Sequence, residues 1–347
     1  MLNLDTILFP TDFSSVAEDA FAHAAHLALQ SGATICVFNV VTPDDGDASN
    51  PMDFLPVTPV EGGAVDDAAP QRVEVQTVTQ ERGTVPVVYA QTDSTSPETA
   101  IVDQATEHDV DLVVMGTHGR KGMDRLLSGS VAEEVVRQAP CPVFTVLARD
   151  EDAPARTPID RVLVPVDLSE QSPLVVDHAA ALADAYGASI DLLHVVEEAT
   201  FPTAYGIDPL APSQPDVQER AREALEALAA DLDDVDAPID THVLAGYAAR
   251  DIVDFAEEHA SDLVVMATHG RTGLQRFLIG SVAEKVTRSA SCPVFTVKSF
   301  GKSLVPSHST LYAPNAAVVV LAAKMSVPAR TSVSAYNRIF GSDSLCI

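Results

Sequence analysis

Two tandem copies of a parallel α/β domain are what this 347-residue sequence predicts. Three observations predict it: a long internal repeat, an alternation of short apolar runs with helical patterns, and a glycine-containing element at the same place in each copy. Met115–Val146 recurs as Met266–Val297 with 22 identities in 32 positions at an offset of 151. Ile7–Ser14 (ILFPTDFS) likewise matches Val162–Ser169 (VLVPVDLS) at an offset of 155. A period this long does not describe a solenoid. The polar, Pro-containing stretch Arg149–Pro158 reads as a linker. The expected division is domain one at 1–149, linker at 150–158, domain two at 159–299 and an extension at 300–347.

In the second copy, strands are expected at Arg161–Val166, Ser189–Val196, Thr241–Ala245, Asp262–Met266 and Pro293–Val297. Continuous apolar runs such as LVVM suit strands covered on both faces. The first helix is expected to follow Ser172 as N-cap, with Pro173 at its first position and Gly187 past its end. Val217, Ala221, Leu225, Leu228 and Leu232 form one apolar stripe and mark a second helix. The last helix begins at Ser281 and stops before Cys292-Pro293.

The first copy keeps strands at Thr6–Phe9, Thr34–Val41, Asp111–Met115 and Pro142–Val146, and a first helix with Ser15 and Glu18 as a capping box. Its middle differs. Residues 42–72 hold five prolines and no helical period, and Val73–Ala90 reads as extended, so the second helix is expected to be missing or short. Residues 42–72 and the shorter connector Thr200–Pro215 both leave the carboxyl end of strand two.

Charge narrows the function classes. With 50 Asp and Glu against 21 Lys and Arg, the formal net charge of −29 repels phosphate backbones and argues against nucleic-acid binding. Only five of the basic residues are Lys, and there is no Trp. This balance fits a protein built for molar salt, where the Debye length shrinks to ~3 Å and self-repulsion fades. No apolar run approaches the ~20 residues that span a bilayer. Nothing before the first strand leaves room for a signal peptide, so a cytoplasmic location without membrane contact is expected. Four cysteines without metal-ligand spacing read as small core hydrophobes. Residues 300–347 carry +3 against −32 for the preceding 299, a different composition. They read as a non-homologous, disordered extension, with a docked strand or helix as the alternative.

The repeated element is strand, Gly-x-x-Gly, nine residues, Gly-Ser, helix. In copy one it is Gly116, Gly119, Gly129 and Ser130. Glycines let backbone approach a ligand closely, and a helix N-terminus favours an anion such as phosphate. Strand-to-helix loops of this kind lie at the carboxyl edge of a parallel sheet, where α/β folds bind ligands.

With these residues in view, the chain resembles the universal stress protein family, whose ATP-binding members carry Gly-x2-Gly-x9-Gly-Ser/Thr. PTDFS and PVDLS, FNVV and LHVV, DLVVM with THGR, and the closing CPVFTV extend the likeness over about residues 1–299. The resemblance implies two Rossmann-like domains of the adenine nucleotide α-hydrolase type. Each would be a five-stranded parallel sheet in the order 3-2-1-4-5, with the domains joined through strand five as an intrachain pseudo-dimer. A homodimer of the chain stays open. It also implies ATP, with Mg²⁺, as ligand. Asp12 would then meet the ribose, Val40 the adenine through its backbone, Gly116 the ribose side, and Gly119, Gly129, Ser130 and Val131 the phosphates. In copy two the matches are Asp167, Val195, Ala267, Gly270, Gly280, Ser281 and Val282. Ala267 departs from the pattern's first Gly. If that position needs positive φ, Ala costs roughly 1 kcal/mol or more; if it needs only smallness, Ala serves.

Plainer readings stand beside these. Asp12 and Asp167 also suit capping of the turn that follows them. His118 and His269 are single loop histidines with no companion at ligand spacing, and Arg120, Arg125, Arg271 and Arg276 suit surface ion pairs as well as phosphate. No Walker lysine and no catalytic constellation emerges. The expected function is therefore a nucleotide-dependent regulator or partner-binding module in stress response. A slow ATPase or nucleotide-transferring enzyme, and a scaffold without nucleotide, are the alternatives.

Overall fold

The computed structural model describes residues 2–43, 57–59, 71–79, 81–117, 130–147, 158–197, 214–232, 237–268, 279–298 and 300–306. Copy one opens with β1 (Thr6–Pro10), in which Ile7, Leu8 and Phe9 are buried because helices cover both faces. It feeds α1 (Ser15–Ser31), rich in alanine, the residue that loses least on entering a helix. The expected Ser15–Glu18 capping box is corrected here. Ser14 keeps an extended backbone (φ −77°, ψ 163°) and its hydroxyl accepts from Ala17 N–H, while Ser15 is already helical. Glu18 lies inside the first turn, where it complements the helix dipole. Gly32 ends the helix at φ 80°, a left-handed conformation that costs glycine nothing.

Between β2 (Thr34–Val41) and its third strand, copy one has no helix among the described residues. Instead β3 (Val57–Pro59), β4 (Gln71–Gln76) and β5 (Arg82–Asp93) pair antiparallel in succession, and β5 then runs parallel to β2 as its third strand. The expectation of five parallel strands is thus corrected for copy one, which has seven among the described residues, in a mixed arrangement. The cause is the period-2 pattern: Val73, Val75, Val85 and Val87 all turn into the core. A Cβ on Gly83 would lie 2.4 Å from Leu29 Cδ1, so glycine here lets the hairpin close on α1. α2 (Pro97–Glu107), β6 (Leu112–Gly116), α3 (Ser130–Gln138) and β7 (Val143–Val146) complete the copy.

Copy two runs β8 (Arg161–Pro165), α4 (Ser172–Tyr186), β9 (Ser189–Glu197), α5 (Gln214–Ala230), β10 (Ile239–Gly246), α6 (Ala248–Glu258), β11 (Leu263–Ala267), α7 (Ser281–Ser289) and β12 (Val294–Val297). Ser172 is the first helical residue of α4 rather than its N-cap, a position held by Gln171. Its hydroxyl turns to Asp167 Oδ1 at 3.4 Å instead. Gly187 ends the helix at φ 73°, as expected. Ala221, Leu225 and Leu228 of α5 are buried along the predicted stripe, with Leu232 just past the helix end.

The twelve strands of the described residues form one sheet, β10-β9-β8-β11-β12-β7-β6-β1-β2-β5-β4-β3. Each copy therefore contains the order 3-2-1-4-5, and the two fifth strands, β7 and β12, pair antiparallel at the seam. One apolar cluster on the α1 and α4 face runs through both copies and includes Phe21, Phe144, Leu182 and Phe295. The opposite face carries a separate cluster for each copy, around Val135 and around Val286. At the seam Phe144 and Phe295 meet edge to face at 6.0 Å. Buried Thr145 donates to Val294 O at 3.0 Å and buried Thr296 to Val143 O at 3.2 Å, so neither hydroxyl is orphaned. His26 of α1 stacks on Tyr186 of α4 at 4.4 Å and its Nε2 donates to Ala185 O. Of the extension, residues 300–306 belong to this body. Lys302 N–H bonds Pro140 O, Leu304 N–H bonds His178 Nε2, and Leu304 O accepts from Asn3 N–H.

Candidate functional site

Parallel sheets of this order have a switch point between strands one and four, where successive crossovers leave to opposite faces. Here it lies between β1 and β6 in copy one and between β8 and β11 in copy two. Those of the residues singled out from sequence that are described fall at these two carboxyl edges.

Strand one ends alike in both copies. Asp12 Oδ1 accepts Ser14 N–H at 3.2 Å, and Asp167 Oδ1 accepts Ser169 N–H at 3.1 Å. Between them Phe13 (φ 59°) and Leu168 (φ 56°) adopt the left-handed conformation that bulky residues avoid. Two non-glycine residues held there at equivalent positions show a backbone shape imposed on each copy by its surroundings. Both aspartates thus do cap their turns.

Strand two locks those turns from the side. Asn39 Nδ2 donates to Thr11 O at 2.9 Å, and Gln91 Nε2 donates on to Asn39 Oδ1 at 3.0 Å. In copy two His194 Nδ1 donates to Val166 O at 2.8 Å. Sequence reasoning missed this pair, although a lone polar residue in each of FNVV and LHVV was the available signal. Val40 and Val195 follow one residue later, Val40 half-buried against the copy-one cluster and Val195 buried in that of copy two.

Strand four supplies the first small residue. Gly116 is not among the positive-φ glycines, nor Ala267 among the positive-φ residues. The requirement is therefore smallness: a Cβ on Gly116 would meet Val16 Cγ1 at 2.9 Å. Thr117 and Thr268 follow, each bonding its strand-five neighbour through N–H to Val146 O (2.9 Å) and Val297 O (2.8 Å).

The helix that closes the motif is seen best in copy two. Gly280 N–H bonds Thr268 O at 2.7 Å, which pins the start of α7 to the end of β11. Gly280 is extended (φ −64°, ψ 145°) and, having no side chain, leaves the helix without a side-chain cap. The first-turn N–H groups at Ser281 and Val282 have no acceptor among the described residues, with Ser281 exposed and Val282 half-buried. In copy one Ser130 and Val131 begin α3 in the equivalent place. Gly119, Gly129 and Gly270 lie outside the described residues, as do His118, His269 and the four loop arginines.

Of the described cysteines, two are core residues and Cys36 is half-buried, while Cys346 lies outside the described residues. Cys141 and Cys292 are buried free thiols whose pKa burial pushes up to about 12. Among the described residues no cluster of His, Cys, Asp or Glu is placed for a metal ion, and no helix is long and apolar enough to cross a membrane.

A family model described as the universal stress protein family matches residues 3–146 and again 158–298. A universal stress protein of Methanocaldococcus jannaschii is 36% identical over 140 residues, 40% of this chain and 81% of that protein. One of Mycobacterium bovis is 31% identical over 195 residues, 55% of this chain and 63% of its own length. Among solved structures, a universal stress protein from Archaeoglobus fulgidus matches with a TM-score of 0.54 at 18% identity, over 86% of this chain and 97% of that one. A Pseudomonas aeruginosa chain described as a universal stress protein gives 0.59, also at 18%, over 85% and 93%.

Proposed function

The chain belongs to the universal stress protein family, and from that premise we propose that each copy binds an adenine nucleotide, ATP with Mg²⁺, at its strand carboxyl edge. The observation that carries this reading is the uncapped start of α7, held at the end of β11 by the Gly280–Thr268 bond and repeated in sequence at α3. Open N–H groups and the helix dipole suit a phosphate. On this reading Gly119, Gly129, Ser130 and Val131 hold the phosphates in copy one, and Gly270, Gly280, Ser281 and Val282 hold them in copy two. Asp12 and Asp167 stand at the ribose beside Gly116 and Ala267, and the backbones of Val40 and Val195 meet the base. Mg²⁺ would be carried by the phosphates. Ala267 does not silence copy two, because its position needs smallness and not positive φ.

The protein would act by binding rather than turnover, as a nucleotide-dependent regulator in a cytoplasmic, salt-rich setting to which its charge of −29 is suited. Ligand that binds only the folded state raises stability by ~2.7 kcal/mol at 100 times its Kd. Thermal unfolding in molar KCl with and without millimolar Mg·ATP tests the reading. A concentration-dependent rise in Tm is expected, and identical curves would overturn it.

A further inference from the structure

The seam between the copies is flanked by two clefts whose linings correspond in position through the repeat, with Asp109 of the first standing where the second has Ala260. The first is lined by Asp109, Asp111, Pro140 and Cys141 of copy one with His178 of copy two. It is filled by the chain's own Lys298 and residues 300–305. Lys298 Nζ donates to the carbonyls of Arg137 and Ala139. Lys302 Nζ pairs with Asp111 Oδ1 at 2.7 Å and Asp109 Oδ2 at 2.9 Å. A Cβ on Gly301 would lie 2.1 Å from Pro140 O, and Gly301 takes φ 102°, so only glycine lets this segment lie so close.

The repeat offsets carry that lining onto a second cleft. Asp111, Cys141 and Pro142 map onto Asp262, Cys292 and Pro293, and His178 maps onto His23. These residues, with Asp19, Glu257 and Ser261, line an open cavity of about 210 Å³. Asp262 Oδ2 accepts the N–H groups of Asp160 and Arg161 at 3.0 Å, just as Asp111 Oδ2 accepts those of Asp5 and Thr6 at 2.9 Å. The other oxygen is where the clefts differ. Asp111 Oδ1 holds a lysine; Asp262 Oδ1 has no hydrogen-bond or ion-pair partner among the described residues. Beside it Ser261, 7% exposed, has a buried hydroxyl with no partner. Among the described residues no lysine or arginine lines the cavity, while three carboxylates do. Burial accordingly raises the Asp262 carboxyl above the ordinary range.

We propose that this cleft is a docking site for a lysine-bearing extended peptide from a partner, seated as residues 300–306 are seated in the equivalent cleft. The volume supports one long side chain: it falls below the ~300–1,000 Å³ of drug-sized ligand pockets. The ammonium would meet Asp262 Oδ1, and Ser261 and Glu257 line the same cavity. A charge-assisted bond in a partly buried site is screened less by salt than a surface pair.

The test uses the full chain and a fluorescent peptide of the sequence Phe-Gly-Lys-Ser-Leu-Val-Pro, that of residues 300–306, titrated by anisotropy. Saturable binding of one peptide per chain is expected, weakened at least ~10-fold by Asp262→Asn and measurably by Glu257→Gln, which lies on the helix surface and leaves the fold intact. The same peptide carrying Lys302→Met should lose a similar factor. Absence of saturable binding at millimolar peptide would overturn the proposal. So would equal affinity for the parent and both variants, or equal binding of the methionine peptide.

Discussion

Copy one covers the outer end of its sheet with an antiparallel hairpin, β4 and β5, where copy two uses the 17-residue helix α5. Val73, Val75 and Val85 from the hairpin enter the same apolar cluster that receives Leu225, Leu228 and Leu232 from the α5 segment. The turn after strand one, by contrast, repeats to the level of a left-handed residue, Phe13 or Leu168, and an aspartate bonded two residues ahead. The difference teaches what each part has to satisfy. Burial of apolar area is non-directional and can be met by either element, whereas a backbone shape at a strand end is met by one local geometry.

The most damaging way to test that division is at the seam the copies share. Phe295→Ala removes a fully buried ring that packs on Phe144, and a loss of about 3–5 kcal/mol is expected in urea unfolding. A loss below 1 kcal/mol would show that the copies are stable without their common core. The next test separates site from scaffold. Ser281→Asp places a carboxylate in the first turn of α7, where the dipole favours it by about 0.3–1 kcal/mol. Stability should hold or rise slightly while ATP affinity in copy two falls at least ~10-fold, since like charge opposes the phosphate. Ser130→Asp should do the same for copy one alone.

Smaller effects sharpen the contrast at strand four. Gly116→Ala forces a Cβ to within 2.9 Å of Val16 Cγ1, and a cost of about 1–3 kcal/mol is expected, relieved by Val16→Ala. The reverse change, Ala267→Gly, should cost no more than about 1 kcal/mol and leave nucleotide binding intact, because no positive φ is involved. Equal costs for the two would break the comparison.

The smallest expected effect is a pH dependence at the cleft that residues 300–306 fill. His178 Nε2 accepts from Leu304 N–H and its Nδ1 donates to Leu174 O, so the ring is neutral. Burial lowers its pKa below the ordinary 6.5. The unfolded chain therefore binds a proton more readily than the folded one just below pH 6.5, and stability should fall as pH drops through that window. Chevron-free equilibrium melts at pH 7.5 and 5.5 should show a smaller difference in His178→Asn than in the parent. His26, lowered by burial too, would keep a residual slope.

Much of this was legible in the sequence because it is periodic or repeated. The strands, the stripe of α5, Gly187 and the Gly-Ser helix starts each rest on local chemistry that recurs at a fixed spacing. The cap of α1 was misplaced by one residue because Ser14 and Ser15 are chemically alike; only which backbone stays extended decides between them. The hairpin of copy one shows extended character in Val73–Ala90, but its turn is held by Thr77, whose N–H and Oγ1 bond Glu81, and not by a Gly or Asn signal. Residues 300–306 were illegible for another reason. Lys302 finds its partners 191 and 193 positions earlier in the chain, and no local pattern announces a contact at that range. At the strand ends, the turn-capping Asp12 and Asp167 were legible, whereas Asn39 and His194, single polar residues that hold a carbonyl at the neighbouring strand's end, were not.

The claim on which the account turns is that both copies bind adenine nucleotide despite their different coverings and despite Ala267. It is tested most directly by denaturing protein purified in molar KCl, after soaking in Mg·ATP and desalting, and quantifying the released small molecules by chromatography. Two adenine nucleotides per chain is the expected result. None would contradict the account.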